Sequence, residues 1–339
     1  MKLNYIGHNQ WNGQKFPEFY RNVVTKDYDK IILFCQNEWE WHAHDPVYWP
    51  MLQEYCKHIR KPIHVVTASH HNFYPATIEN TVIDWWDTYW IGRTYQSLVH
   101  AGVSSTIDPY VKPEYKYHFI SMNHRAHEHR CLLMDLVVKN DLLKHGAVSF
   151  HQDSPIYKWR YFDFKPMILE SEFITDKNQH RMPDQYYDSF VQLISESSNN
   201  TIMLSEKTAT PLLLGKPFLV AGQQGFHRFL RGLGFQLFEE LFDYSFDDEP
   251  NEELRYEKLL ANITRLSQVP LHQLPDLHKK IAYKLDFNMR KARQISFDTS
   301  LYPKIALEVI DYYNQTGIEI DHWLIHIHNR LQECKESGF

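Results

Sequence analysis

The stretch 189–225, SFVQLISESSNNTIMLSEKTATPLLLGKPFLVAGQQG, constrains the fold more than any other part of the chain. It contains three apolar runs, at 190–194, 202–204 and 218–220. Each is too short for a helix and ends at a polar or glycine-containing turn, so all three read as buried strands. Between the second and third, Ser205 stands where an N-cap belongs and Glu206 suits a first helical turn. Gly215 and Pro217 supply the stop, which predicts a helix over 205–215. A strand that delivers its carboxyl end to a helix N-terminus makes an anion and ribose site. Backbone N–H groups and the helix dipole favour phosphate there, and a carboxylate can accept from sugar hydroxyls.

The rest of the chain extends the alternation. Strands are expected at 2–7, 31–35, 62–68 and 82–90, with helices at 16–24 and 49–60. After a boundary near 108–115, marked by Pro109 and Pro113, a second unit opens with a strand at 117–122. A basic, histidine-rich loop at 123–130 leads into a helix from Cys131 to about Lys139, then a strand at 147–150. Residues 151–188 carry little pattern and read as a long loop. Beyond the central stretch, a helix is expected at 226–233 and a strand at 235–238. An acidic segment then caps a helix reaching Leu266, and further helices cover 278–293 and 301–331. Alternation of this kind argues α/β architecture, with parallel sheets and helices on both faces.

Length and composition agree with that architecture. The chain has 339 residues, 43% hydrophobic and 23% charged, enough for two domains with ample core. The formal charge of −6 gives no general attraction to nucleic acid or anionic membrane, although it leaves room for a local basic groove. Cys35, Cys56, Cys131 and Cys334 lie far apart without a CxxC, which indicates neither a zinc ribbon nor a disulfide framework. No signal-like h-region and no apolar run of membrane-spanning length is visible, so a cytoplasmic setting is expected.

The motifs carry a resemblance. Glu196-Ser197, then Leu204-Ser205-Glu206-Lys207 and Gly215-Lys216-Pro217-Phe218, resembles the nucleotide-sugar end of GT-B glycosyltransferases. The nearest are the α-1,3-fucosyltransferases and the exostosin-like bacterial and viral enzymes. The family pattern has Glu-Asn where this chain has Glu196-Ser197. The resemblance covers residues 115–245 and implies that Glu206 holds the donor ribose and Lys207 meets the diphosphate, with Asn123, Glu196, Ser197, Ser205 and Thr208 also in the nucleotide-sugar site. FISMNHRAHEHRCLLMDLV looks like the first strand-loop-helix of the same domain. There an arginine contacts the diphosphate: Arg130 matches by position against the helix, and Arg125, after Asn123, matches the Asn-x-Arg form of the bacterial relatives. A guanidinium suits that role because its fork can bond two phosphate oxygens.

The resemblance thus implies two Rossmann-like domains facing a cleft. Residues 1–112 would form the acceptor domain and 113–300 the nucleotide-sugar domain. The helices of 301–339 would cross back to the first domain. The implied reaction is transfer of a sugar from a UDP- or GDP-sugar to an acceptor hydroxyl, with no cofactor and no metal. His42, His44, Asp45 and the pair His70-His71 would otherwise invite a metal reading, but among 21 histidines such pairs arise by chance. An inverting transfer needs a carboxylate base. Glu38, first after the strand at 31–35, is preferred over Glu40 and Asp45. The acceptor is a glycan or a hydroxymethylated pyrimidine in DNA, and the latter requires base extrusion and a basic rim. The basic helix 278–293 is either a solvated face or such a rim. From another class, a nucleotide-binding scaffold without transferase activity fits the same motifs.

Overall fold

The structure, a computed structural model, describes residues 3–7, 29–35, 63–70, 81–100, 114–169, 182–199, 201–317, 328–329 and 332–333. These fall into two compact units, one drawn from Met1–Gln96 and Ile295–Phe339, the other from Ser97–Gln294. Each is built on a four-stranded sheet whose neighbouring strands run parallel. The α/β class expected from the alternation is the class observed.

In the first unit, β1 (Leu3–Gly7), β2 (Lys30–Cys35), β3 (Ile63–Thr67) and β4 (Thr81–Trp85) lie side by side in chain order. The strand expected over 82–90 ends at Trp85. Helix α1 (Tyr89–His100) follows, because Ile91, Tyr95 and Leu98 recur at helical spacing and all are buried. Trp86 packs on Tyr302 at 4.5 Å between ring centroids, and Tyr95 meets Phe297 edge-on at 5.2 Å. The helix Lys304–Thr316 buries Ile305, Ala306, Val309 and Ile310, and its Glu308 pairs with Lys30 of β2 at 2.5 Å. Of the tryptophans, Trp86 and Trp90 are core, while Trp39, Trp41 and Trp49 lie outside the described residues.

The second unit opens with β5 (Tyr117–Asn123), α2 (Glu128–Lys139), β6 (Gly146–Phe150) and α3 (Asp184–Asp188). It continues with β7 (Ser189–Ser195), α4 (Glu206–Leu214), β8 (Phe218–Ala221) and α5 (Phe226–Gly232). The long helices α6 (Glu252–Ser267) and α7 (Leu274–Phe297) complete it. The sheet order is β8-β7-β5-β6, and every residue of β7 is buried, as a central parallel strand requires. From β5 the chain moves outward to β6, and from β7 it moves outward the other way to β8. The winding reverses between β5 and β7, and in open parallel sheets ligands bind at the carboxyl ends of the strands flanking such a reversal.

Several local expectations need adjusting. Helix α2 begins at Glu128 rather than Cys131, which draws His129 and Arg130 into its first turn. Ile202–Met203 is a two-residue extended stretch outside the four-stranded sheet. The strand expected at 235–238 is irregular, because its backbone bonds to side chains instead of a neighbouring strand. Asn288 of α7 accepts from the Gln236 N–H and donates to its carbonyl, both at 2.8 Å, and Lys284 donates to the Leu237 carbonyl at 2.7 Å.

The weakly patterned segment after β6 folds around one residue. Asp135 on α2 is wholly buried and accepts from the backbone N–H groups of Arg160, Tyr161 and Phe162 at 2.8–2.9 Å. The Arg160 side chain adds a bond at 3.3 Å. Trp159, Phe162 and Phe164 then cover Cys131, Met134 and Phe150.

Candidate functional site

The site is assembled from the two segments that leave β5 and β7 at the point of reversal. From β5 come Asn123 and the loop to α2. Asn123 is buried and committed within the sheet: its amide donates to Ser121 at 3.1 Å, and its side-chain oxygen accepts from the Ser195 hydroxyl of β7. His127 stands at the N-cap of α2, extended and with no side-chain cap. The Arg130 and Cys131 N–H groups bond back to the His127 carbonyl at 2.9 and 3.0 Å. The first turn therefore presents the N–H groups of Glu128 and His129 and the positive end of its dipole at the end of the sheet.

From β7 comes Glu196, 1% exposed. Its carboxylate accepts from the Ser197 N–H at 2.8 Å, the Ser205 N–H at 3.2 Å, the Ser205 hydroxyl at 2.5 Å and the Thr208 hydroxyl at 2.6 Å. Its backbone carbonyl accepts from His129 Nε2 at 2.9 Å and from the Arg130 guanidinium at 3.2 Å. Ser205 caps α4 as expected, its Oγ accepting from the Lys207 N–H at 3.2 Å. The helix ends at Gly215, whose φ of 65° is left-handed and whose missing Cβ leaves room for the Met289 sulfur.

This arrangement divides the residues singled out by sequence into two groups. Ser205 and Thr208 are fully buried, with hydroxyls turned to Glu196. The N-terminal amides of α4 are largely engaged internally: Ser205 N–H by Glu196, Lys207 N–H by the cap, and Thr208 and Ala209 N–H by the Ser205 carbonyl. Glu206 and Lys207 are partly exposed and paired at 2.7 Å, and Lys207 also donates to the Ser197 hydroxyl at 2.9 Å. Arg125 is exposed and pairs with none of the described carboxylates, whereas Arg130 is buried and donates to the Arg125 and Glu196 carbonyls.

Three cations bear on His127. Burial first, then the charges of Arg130, Arg125 and Lys207, hold its imidazole down at about 4. Its neighbour His129, stacked on it at 5.8 Å, is held at about 3 by burial and by Arg130, against the opposing pull of the Glu196 carbonyl. Both rings are neutral at physiological pH, in a pocket of fixed positive charge beside an uncapped helix end. Such a place stabilises a phosphate group.

Sequence reasoning did not single out His127 and His129. The available signal was the lack of any Ser, Thr, Asp or Asn at the N-cap of α2, where His127 stands. Glu38, Glu40 and Asp45 lie outside the described residues, as do His42, His44 and His71. Among the described residues, no group of three or more His, Cys, Asp or Glu is placed to hold a metal ion. None of their helices is long and apolar enough to cross a membrane.

Three of the six cations on 278–293 are met by described carboxylates. Lys279 pairs with Asp276 at 2.9 Å, Lys284 with Glu239 and Glu240 at 2.7 and 2.8 Å, and Arg290 with Asp286. Comparison of the chain with protein-family models, with curated proteins and with solved structures finds no match.

Proposed function

We propose that the chain is a glycosyltransferase of GT-B type that takes its sugar from a nucleoside diphosphate donor bound at the carboxyl ends of β5 and β7. One observation carries the reading: Arg125, Arg130 and Lys207 all act on His127 at an uncapped helix end, at the reversal point of a parallel sheet. In this reading the diphosphate lies against the first turn of α2, between Arg125 and Lys207, and Glu206 accepts from the ribose hydroxyls. Arg130, fixed by two carbonyls, supplies charge from behind the loop.

Transfer breaks the bond between the sugar anomeric carbon and the phosphate oxygen, and the nucleoside diphosphate leaves with the electron pair. The acceptor oxygen bonds to the anomeric carbon, and its proton passes to a carboxylate, for which Glu38, Glu40 and Asp45 are the residues of choice. Preorganised cations favour the departing diphosphate because its charge grows in the transition state. Such a site needs no metal for that step.

The test is a panel of nucleotide sugars offered with two acceptors, an oligosaccharide mixture and hydroxymethylcytosine DNA, and read by mass spectrometry. Product with either acceptor supports the reading and names the acceptor. Nucleotide binding without turnover on any acceptor would favour a nucleotide-binding scaffold. No binding of any nucleotide would remove both.

A further inference from the structure

We infer that Glu196 is the positioning residue of this site: a built-in anion that holds both helix starts in place and itself touches no ligand. The inference rests on the proposed donor site and deepens it. A carboxylate has about four lone-pair positions, and at Glu196 four donors occupy them, all from Ser197, Ser205 and Thr208. Ser205 and Thr208 are both 0% exposed. A ligand would have to displace one of these bonds to reach the carboxylate.

The residue works in two directions. Through its side chain it fixes the α4 start, and thereby the backbone from which Glu206 and Lys207 project. It also holds the N–H of Ser197, whose hydroxyl accepts from Lys207. Through its carbonyl it orients His129 and Arg130 in the first turn of α2. One residue therefore sets the spacing between the cations of the two segments. A chain in which α4 merely needed capping would be served by Ser205 alone. The buried carboxylate behind that cap adds a second, charged set of bonds, which are stronger than neutral ones.

This assigns Glu196, Ser205 and Thr208 a role distinct from that of Glu206, Lys207 and Arg125. The first three act on the ligand only through the geometry they impose, and the last three meet it. The two roles predict different mutational patterns. Removing the Thr208 hydroxyl touches nothing a ligand can reach, yet it takes a donor from Glu196 and loosens the α4 start.

The experiment measures the affinity of the full chain for UDP and GDP by calorimetry, with far-UV circular dichroism and thermal unfolding as the check on folding. The variants are Glu196→Gln, Thr208→Val, Thr208→Ser, Arg125→Ala and Lys207→Ala. Glu196→Gln and Thr208→Val should each weaken the better nucleotide by about tenfold or more, the size of one charge-assisted hydrogen bond. Thr208→Ser keeps the hydroxyl and should bind as the wild type does, which a general loss of stability would not reproduce. If Arg125→Ala and Lys207→Ala lose affinity while Glu196→Gln and Thr208→Val keep it, the positioning role is wrong and the donor site stands. If Glu196→Gln loses affinity and Thr208→Val does not, Glu196 contacts the ligand directly and the inference is again overturned. If the wild type binds neither nucleotide, or Arg125→Ala and Lys207→Ala bind normally, the donor site itself is refuted. Should Glu196→Gln not fold, the Thr208 pair decides alone.

Discussion

Donor binding should return a proton to His127. In the free protein the imidazole sits at about 4, held there by burial and by Arg130, Arg125 and Lys207. A nucleotide sugar brings two negative charges to the same place. At a separation of about 7 Å and an effective dielectric constant near 20, one unit charge is worth roughly 2.4 kcal/mol, or about 1.7 pH units. A single phosphate charge therefore suffices to lift His127 toward the ordinary histidine range. Because the bound value lies above the free one, binding takes up a proton between the two, and affinity grows as pH falls through that window. A nucleotide sugar is the right probe, since its diphosphate diester does not itself titrate there. The first assay is proton NMR of the histidine C2–H resonances with and without donor, with the His127 signal identified by its loss in His127→Gln. The second is calorimetry at about pH 5.5 in buffers of different ionisation enthalpy, which reads proton uptake directly. Lys207→Ala alone should also raise His127, because it removes one of the depressing charges. If the donor binds while His127 titrates unchanged and the enthalpy is independent of buffer, the diphosphate is not among these cations.

Three further outcomes are expected. Asp135→Asn should cost about 2–4 kcal/mol in urea unfolding and open the 153–162 segment to protease, because an amide cannot serve the donors now aimed at a buried carboxylate; an unchanged midpoint would refute this. The depressed values of His129 (about 3) and His278 (about 4) place their stabilising contribution fully above the unfolded histidine value and remove it as pH falls toward those folded values. Unfolding free energy should accordingly drop between pH 7 and pH 4.5 by on the order of 2 kcal/mol per histidine, and His278→Gln should narrow that difference. Glu38→Gln should lower transfer by roughly 10²–10⁴ with donor affinity unchanged, and equal turnover would move the base to Glu40 or Asp45.

The sheet strands were legible because buried parallel strands read as short, mostly apolar runs: β8 is apolar throughout, and β5, β6 and β7 carry apolar pairs or triplets broken by single polar residues. Helix α4 was legible at both ends because Ser205 and Gly215 are the residue types its termini demand. The start of α2 was not, because His127 carries no capping side chain and the polar run before Cys131 looks like loop. The misread strand at 235–238 shows the limit of pattern alone. An apolar run says that a segment is buried, not whether its backbone partners are a strand or the side chains of Asn288 and Lys284. The role of Glu196 was equally hidden. Sequence marked it as one of a set of polar residues near a ligand, and only burial separates a carboxylate that faces outward from one already filled by four donors.

The overall charge of −6 is a poor guide to this site, and the distribution of ion pairs explains why. Across much of the second unit basic side chains are met by carboxylates. Lys139 pairs with Glu257, Arg228 with Asp248, Arg231 with Glu239 and Lys258 with Glu249, and on α7 Lys279 pairs with Asp276 and Arg290 with Asp286. At the reversal point the pattern changes. Glu196 spends its charge inward on hydroxyls and amides, Arg130 donates to carbonyls, and Arg125 faces outward without a described carboxylate. Among the described residues, Glu206 is the carboxylate that answers a cation there directly, through Lys207. Surface pairs elsewhere are screened within about 8–10 Å at physiological salt, so they neither reinforce nor cancel the local field at His127. A phosphate at that edge would therefore meet the sign of the few nearby groups rather than that of the chain, so an acidic total does not count against the proposed donor site.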